Sequence, residues 1–186
     1  AHHGVIRSAV SGQGNAIRLS PRLRLLGHRS EVLNPTWFRR AEGRRLRLGA
    51  VAQLAWARER RLVQAVRAEL PDGRTLTVAN LHCTSYEIDP RLADAELLRA
   101  AAFARDAAFG DEPLVLAGDF NLRAGTSQAL AELTGPAWGL SAPGPGIDHL
   151  LVRGLEAGPV TVWPDERRVH DRVLLSDHAP VEVELA

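Results

Sequence analysis

Residues 113–121 read PLVLAGDFN, a compact apolar run that ends abruptly in Gly118-Asp119-Phe120-Asn121. The short apolar run predicts a buried strand, with polar side chains placed where the strand ends. Asp119 and Asn121 are two positions apart, so their side chains are expected to point the same way. A carboxylate beside an amide suits a water or a metal ion next to a phosphate oxygen. The same residue pattern also forms an Asx-type turn, and the pair alone does not separate the two interpretations.

Residues 61–81 predict a β-hairpin that precedes this strand. Residues 61–70 and 75–81 alternate in character and flank PDGR at positions 71–74, which is a turn sequence. Alternate side chains of the second strand share one face, where an apolar row gives way to polar groups at the strand end. The members of that row are Leu76, Val78, Asn80 and His82.

The other segments predict an α/β chain with mixed or antiparallel sheets. Asp89 is a good N-cap and Pro90 suits the first helical position, which indicates a helix over residues 91–109. Residues 4–61 have a weak pattern interrupted by an Arg-rich stretch, so we expect short strands and loops there. Antiparallel neighbours would bring the polar clusters to one edge of the sheet. The remaining predictions are a helix over 127–133 capped by Thr126, a loop over 143–146, and strands over 147–152 and 179–185.

A second polar cluster, Ser176-Asp177-His178, opens the last predicted strand. Asp177 could bind a hard cation while the imidazole of His178 faces a phosphate, or the segment could be a turn with a capping Asp and a surface His. Asp148 begins an apolar strand, and a partly buried carboxylate needs a partner, for which His178 is the best candidate. Such a contact would fix the tautomer and favour the imidazolium. The alternative is that Asp148 is a satisfied capping residue.

His82 and Cys83 stand together at the end of the hairpin, but their side chains should face opposite sides of the strand. A strand-end histidine alone is more often structural than catalytic, and a local thiol–imidazole dyad is geometrically poor. We therefore interpret Cys83 as a small core residue. Structural or surface roles are also expected for His2, His3, His28, His149 and His170, and core or loop-anchoring roles for Trp37, Trp56, Trp138 and Trp163.

Composition narrows the classes of protein without choosing a substrate. With 186 residues, 45% hydrophobic and 24% charged, the chain fits one globular domain. All 23 residues counted as Lys+Arg are Arg, yet 22 acidic residues leave a net charge of only +1, which does not by itself argue for nucleic acid. A single cysteine excludes a disulfide framework within the chain and a cysteine-rich zinc site. No apolar run is long enough to span a bilayer.

Four motifs taken in order resemble the endonuclease/exonuclease/phosphatase superfamily, which has the deoxyribonuclease I-like fold. They are Asn80-Leu81-His82, Gly118-Asp119-Phe120-Asn121, Ile147-Asp148-His149 and Ser176-Asp177-His178-Ala179-Pro180-Val181, and Gly14-Asn15-Ala16-Ile17 also looks like a segment of that family. The resemblance implies a single α/β domain over residues 1–186, built as a four-layer αββα sandwich. It also implies Mg²⁺ or Mn²⁺ as cofactor, and a phosphoester substrate that is a nucleic acid, a small phosphorylated molecule or a phospholipid. No obligate protein partner is evident.

The resemblance further implies a role for each matching residue. Asp119 would orient the attacking water and, with Asp177, contribute to the metal site. Asp148 would position His178 against the phosphate. Three more residues would act on the substrate: Asn121 by holding water or phosphate, His82 by donating to phosphate or the leaving group, and Asn80 beside it.

The chain departs from the family pattern at its start. Family members carry an Asn on a first strand and then a metal-binding Glu upstream of the segment that resembles residues 14–17, and Glu31, Glu42 and Glu59 occur too late to match that Glu. We therefore expect the C-terminal greater part of the domain, N-terminally incomplete, and localisation stays open because the chain begins with Ala1. One alternative is a catalytically silent fragment that binds phosphorylated ligands or a partner. Another is a calcineurin-like phosphoesterase, which the absence of Asp-x-His and Gly-Asn-His motifs disfavours.

Overall fold

The computed structural model of the protein describes residues 14–85, 87–141 and 144–186. The expectations for His2, His3 and the first residue of the loop over 143–146 lie outside these residues. Within the described ranges, the elements in chain order are β1 (Arg24–Val32), α1 (Thr36–Arg45), α2 (Ala50–Arg58), β2 (Leu62–Glu69), β3 (Thr75–His82), α3 (Pro90–Ala107), β4 (Leu114–Asp119), α4 (Gln128–Leu133), β5 (Asp148–Arg153), β6 (Thr161–Val162), a 3₁₀ turn (Asp165–Arg168), β7 (Val169–His170), β8 (Val173–Leu174) and β9 (Val181–Glu182).

The centre of the fold is a five-stranded sheet in the order β1-β2-β3-β4-β5. Neighbouring strands are antiparallel except β3 and β4, which are parallel. Helix α3 lies between these two strands in the chain and provides the crossover that a parallel pair requires. The predicted hairpin and the mixed α/β architecture are confirmed. The antiparallel pairing expected to bring polar clusters to one edge is present between β4 and β5, whereas β3 and β4 run in the same direction and so end at the same edge.

One face of the sheet is covered by α3 and α4. Helix α3 begins where predicted, because the side chain of Asp89 accepts a hydrogen bond from the backbone N–H of Arg91 and Pro90 occupies the first turn. Its buried stripe is rich in alanine, which lets the helix axis come close to the sheet. The main core consists of this stripe, the inward residues of β2 to β5 and the apolar side chains of α4, including Leu97, Ala100, Ala104, Ala79, Leu116, Leu130 and Leu151.

The opposite face carries a second apolar cluster built on Leu76, Val115 and Val152, with Val78 and Leu150 packed against it.

The C-terminal part of the chain, after β5, forms short two-stranded ladders. In these ladders β6 pairs with β9, and β7 pairs with β8. Within the residues the structure describes, no helix is both long enough and apolar enough to cross a membrane.

Two helices occupy a region where the sequence predicted short strands and loops. Helices α1 and α2 bury only Gly43 and Trp56 respectively, so neither shows the apolar periodicity by which a helix is recognised.

The last predicted strand is shorter than expected. Its ladder comprises only Val181–Glu182, and Leu185, predicted to face inward, is 38% exposed.

The short helix α4 is present, but its cap is the residue after the predicted one. The hydroxyl of Ser127 accepts a hydrogen bond from the backbone N–H of Leu130 at 3.0 Å. The hydroxyl of Thr126 instead donates to the carbonyl of Arg123. Both residue types can cap a helix. Ser127 follows the preceding turn and provides the cap, whereas Thr126 is still part of that turn.

Candidate active site

Three strand ends meet at one edge of the central sheet. β3 ends at His82, β4 ends at Asp119 and β5 begins at Asp148. In the sheet register, His82 lies opposite Asp119, and Asp119 lies opposite Asp148. Residues directly opposite each other project to the same face. The parallel pairing of β3 with β4 and the antiparallel pairing of β4 with β5 therefore bring these side chains together.

Gly118 lets β4 approach β3 closely, just before Asp119. Its φ is +139°, and a Cβ at this position would lie 1.9 Å from the carbonyl oxygen of Leu81 and 2.9 Å from Oδ1 of Asn80. Only glycine fits such a backbone conformation in so little space. The glycine of the motif therefore sets how close Asp119 lies to β3.

Asp119 is the centre of the site. Its Oδ2 lies 3.4 Å from Nε2 of His82 and 3.9 Å from Nε2 of His178. Its Oδ1 accepts a hydrogen bond from the backbone N–H of Asn121, at 2.9 Å. The Asx-type turn that the sequence left open is thus present, and it leaves the other carboxylate oxygen directed at the two imidazoles.

Asn121 is held in place by the backbone of the segment that follows β3. Its φ is +52°, in the left-handed region that asparagine tolerates, and its side chain is largely buried. Nδ2 donates to the carbonyl oxygen of Cys83 at 3.0 Å. The N–H of Cys83 in turn donates to the carbonyl of Asp119, so the segments after β3 and β4 are tied together on both sides of the site.

His178 comes to the site from the C-terminal part of the chain. It contacts Asp148, the partner predicted from the sequence. Nδ1–H of His178 donates to Oδ2 of Asp148 at 2.8 Å, which directs Nε2 towards Asp119. The hydrogen bond to Asp148 is the main cause that raises the pKa of His178, opposed by partial burial and supported by the charges of Asp148, Asp119 and Asp177. The arrangement favours an imidazolium whose second N–H faces the site.

The variant Asp148→Asn is expected to lower the pKa of His178, because the amide removes the charge that stabilises the imidazolium. A raised pKa in the folded state means that the contact stabilises the fold below the ordinary histidine pKa and that this stabilisation is lost as pH rises through the raised value. The variant should therefore lose more stability, relative to wild type, at about pH 5 than at about pH 9. NMR titration of the His178 imidazole in chelator-treated wild-type and variant protein measures the shift. An unchanged pKa would contradict this reading of the contact.

His82 has the opposite tendency. Burial is the main cause that lowers its pKa, followed by the nearby guanidinium of Arg61, while the carboxylates of Asp119 and Glu59 oppose the shift. Arg61 is itself buried and pairs with Glu59 at 2.5 Å. The pKa of His82 and that of His178 are thus pushed in opposite directions on either side of Asp119, which allows the two imidazoles to take different roles.

The other two predicted site residues lie at the margin. Nδ2 of Asn80 donates to the carbonyl oxygen of Ala16 at 3.1 Å, so this residue ties the strand to the segment near the start of the described chain. Asp177 is exposed, and its charge contributes to the raised pKa of His178. The structure therefore brings His82, Asp119, Asn121, Asp148 and His178 together, and places Asn80 and Asp177 beside them.

Three of these side chains offer ligand atoms that lie close enough together to hold a metal ion. One atom each from Asp119, Asp148 and His178 lie within 4.8 Å of one another, and all three side chains are partly buried. The cluster opens into a cleft of about 420 Å³ that is also lined by Ala117, Leu150, Ser176, Pro180 and Val181.

Of the residues interpreted as structural, Cys83, His149 and Trp56 occupy core positions, whereas the expectation of a core or loop-anchoring role is wrong for Trp37, which lies exposed on α1. Cys83 is fully buried in the main core, and burial raises the pKa of its thiol well above the ordinary value. His149 is 1% exposed and faces the helix-covered side, where Nε2–H donates to the carbonyl oxygen of Leu122 at 2.8 Å. Trp56 is a core residue, whereas Trp37 is exposed and lies against the guanidinium of Arg99.

Sequence reasoning missed a buried acidic residue behind the site. Glu96 is fully buried on α3, where it contacts Trp56 and Thr84. A signal was available in the sequence, because Glu96 lies four positions after Leu92 and four before Ala100, on the apolar stripe of the predicted helix. A charged residue in such a stripe must have partners.

The chain is similar to one protein family in sequence and to several solved structures in fold. The sequence model described as "Endonuclease/Exonuclease/phosphatase family" matches residues 36–178, which is more than half of the chain. Among the curated protein sequences compared with the chain, none matches.

Solved structures with the same fold include D. rerio TDP2 humanized by 14 mutations, with a TM-score of 0.62 and 14% identity over 89% of this chain and 66% of that one. The human Nocturnin catalytic domain with a bound sulfate anion gives a TM-score of 0.57 and 15% identity, over 90% of this chain and 62% of that one. The mannosyl-6-phosphatase Bt3783 of Bacteroides thetaiotaomicron VPI-5482 gives 0.51 and 20%, over 68% and 57%. The chain spans less than two thirds of the length of each. These likenesses confirm the predicted deoxyribonuclease I-like α/β fold.

Proposed function

The chain belongs to the endonuclease/exonuclease/phosphatase family, and from that premise we propose that the protein is a hydrolase that cleaves a phosphoester with the help of Mg²⁺ or Mn²⁺. The observation that supports this most strongly is the line from Asp148 through His178 to Asp119, with its distances of 2.8 Å and 3.9 Å. Asp119, the carboxylate that would orient the water, lies there beside a histidine whose protonated form is favoured by Asp148.

The donor set fits a hard divalent cation. Mg²⁺ is commonly held by one or two carboxylates, its other positions being filled by water and substrate phosphate. Asp119 is the carboxylate of the cluster that would hold the ion, and the exposed Asp177 is the proposed second ligand. Asp148 is engaged by His178 and would serve the imidazole instead. When bound, the ion would neutralise the phosphate oxygens and polarise the phosphorus for attack.

The remaining groups divide the chemistry of the hydrolysis. Oδ2 of Asp119 would accept a hydrogen bond from the attacking water and orient it towards phosphorus. The Nε2–H of protonated His178 would donate to a phosphate oxygen and stabilise the charge that builds up there. The N–H of His82 would donate a hydrogen bond to the phosphate or to the oxygen that leaves when the P–O bond breaks, and solvent would supply the proton that this oxygen takes up. Asn121, anchored on Cys83, would hold the water or a phosphate oxygen.

The substrate is proposed only as a class: a phosphodiester or phosphomonoester in a nucleic acid, a small phosphorylated molecule or a phospholipid. In this family the loops around the shared site decide among these. Purified protein should be assayed with Mg²⁺ on DNA, RNA, sphingomyelin and inositol phosphates, each with a chelator control. Hydrolysis of at least one substrate that stops with chelator supports the proposal. Folded protein without activity on any of them would favour the silent, ligand-binding alternative.

Metal binding gives a prediction that does not depend on the substrate. At a free Mg²⁺ concentration about tenfold above Kd, binding to the folded state should add about 1.4 kcal/mol to the free energy of unfolding. Asp119→Ala should remove this gain, whereas alanine at Asp111, an exposed turn residue before β4, should keep it. Urea unfolding with and without Mg²⁺ measures the difference. Equal stabilisation of the Asp119 and Asp111 variants would place the ion elsewhere.

A further inference from the structure

The ladder between β3 and its neighbouring strands ends at His82, the last residue of β3. Residues 83–85 belong to no strand, yet Cys83 and Thr84 are almost completely buried. Buried backbone groups outside a ladder need another partner. For the N–H of Thr84 that partner is Oε2 of Glu96, at 2.7 Å.

Glu96 is a fully buried carboxylate whose described partners are all donors. Besides the backbone N–H of Thr84, it accepts from the Thr84 hydroxyl at 2.9 Å and from Nε1–H of Trp56 at 2.6 Å, both on Oε1. Burying a carboxylate is costly unless donors of this kind compensate it. The residue therefore connects α3, which carries it, to α2 and to the segment after β3.

The segment held by Glu96 carries two parts of the candidate site. Thr84 is two residues after His82, and Cys83 between them accepts the hydrogen bond that anchors Asn121. The N–H of Cys83 also binds the carbonyl of Asp119. A shift of Thr84 would therefore be passed on to His82, Asn121 and the end of β4.

We infer that Glu96 is a positioning residue, which holds the segment of residues 82–84 so that His82 and Asn121 stay in register with Asp119. This inference rests on the proposed function for its catalytic consequence, but the positioning itself can be observed without any activity. Glu96 touches neither a substrate nor a reacting atom, and acts through Thr84.

The test compares two buried carboxylates. Glu96 binds the segment that follows the end of β3, and Glu112 lies before the start of β4. Glu112 is also buried and accepts from Nε–H of Arg67, at 2.9 Å to each oxygen, and from the N–H of Phe109 at 3.1 Å. It lies before β4, at the end away from Asp119. Glu112→Gln is therefore a matched control for the loss of a buried carboxylate as such.

In Glu96→Gln, an amide cannot serve two N–H donors on opposite oxygens, because one of them then faces the NH₂ group. Displacement of the site residues is expected to lower kcat about 10- to 100-fold with KM changed by less than about threefold. Glu112→Gln should lower the melting temperature and leave both constants near the wild-type values. Thr84→Val removes only the hydroxyl donor and should lower kcat by about fivefold. If the Glu96→Gln protein does not fold, Thr84→Val serves as the test variant.

The second readout is the ¹H–¹⁵N spectrum of the His82 imidazole and of the Cys83 and Asn121 amides in metal-free protein. Glu96→Gln and Thr84→Val should shift these signals, and Glu112→Gln should not. Shifted signals in a protein without activity would sink the proposed function and leave the positioning role intact. Unchanged signals together with unchanged kcat would overturn the role of Glu96.

Discussion

Asp119→Asn should lower kcat by about two to four orders of magnitude while the protein remains folded. The asparagine keeps an acceptor for the N–H of Asn121, which lies 2.9 Å from Oδ1 in the wild type, so the turn after β4 survives. It removes the charge that faces His82 and His178 and that would orient the water.

The control for this variant is Asp111→Asn, which alters an exposed carboxylate in the turn before β4. Steady-state kinetics on whichever phosphoester the protein hydrolyses, together with thermal unfolding, separates chemistry from folding. Comparable activity of the two variants would show that Asp119 has no part in the reaction.

Gly118→Ala should destabilise the fold by roughly 3 to 5 kcal/mol, because two costs add. The first is the backbone conformation at φ +139°, and the second is the overlap of the new Cβ with the carbonyl oxygen of Leu81 at 1.9 Å. Relief of that overlap requires β3 and β4 to separate at the edge that carries His82 and Asp119. Metal binding and activity should fall with stability.

Gly73→Ala is the matched control for Gly118→Ala. Gly73 also has a positive φ, +84°, but a Cβ there meets nothing within 4 Å, so only the conformational cost of about 1 kcal/mol applies. Urea unfolding of both variants gives the difference. Two free energies of unfolding that agree to within about 1 kcal/mol would show that the close approach of β4 to β3 does not constrain the site.

Much of the site could be predicted because strand ends are visible in the sequence. The apolar run before Asp119 predicted β4, and alternation predicted β3 up to His82. The contact between Asp148 and His178 followed from the rule that a partly buried carboxylate needs a partner. These inferences rely on local patterns and on pairwise chemistry, which a sequence contains.

What could not be predicted depends on packing between distant segments. Helices α1 and α2 bury a single residue each, so they leave no apolar period to recognise. The parallel pairing of β3 with β4 was implied by the helix predicted between them, since a crossover of that length joins parallel strands, but the strand pattern alone left a mixed and an antiparallel sheet open. The burial of Arg61 beside His82 has no local signature, because it stands in a run of charged residues that otherwise face solvent.

In the proposed reaction, water attacks a phosphoester at the site formed by Asp119 and His178. Its most direct test is hydrolysis in H₂¹⁸O with Mg²⁺, in which the phosphate product of the wild-type protein is analysed by mass spectrometry beside that of Asp119→Asn. One ¹⁸O atom is expected in the phosphate product of the wild type, and the rate of its formation should fall by two or more orders of magnitude in the variant. Absence of labelled phosphate from every substrate of the panel, or equal rates for the two proteins, would contradict it.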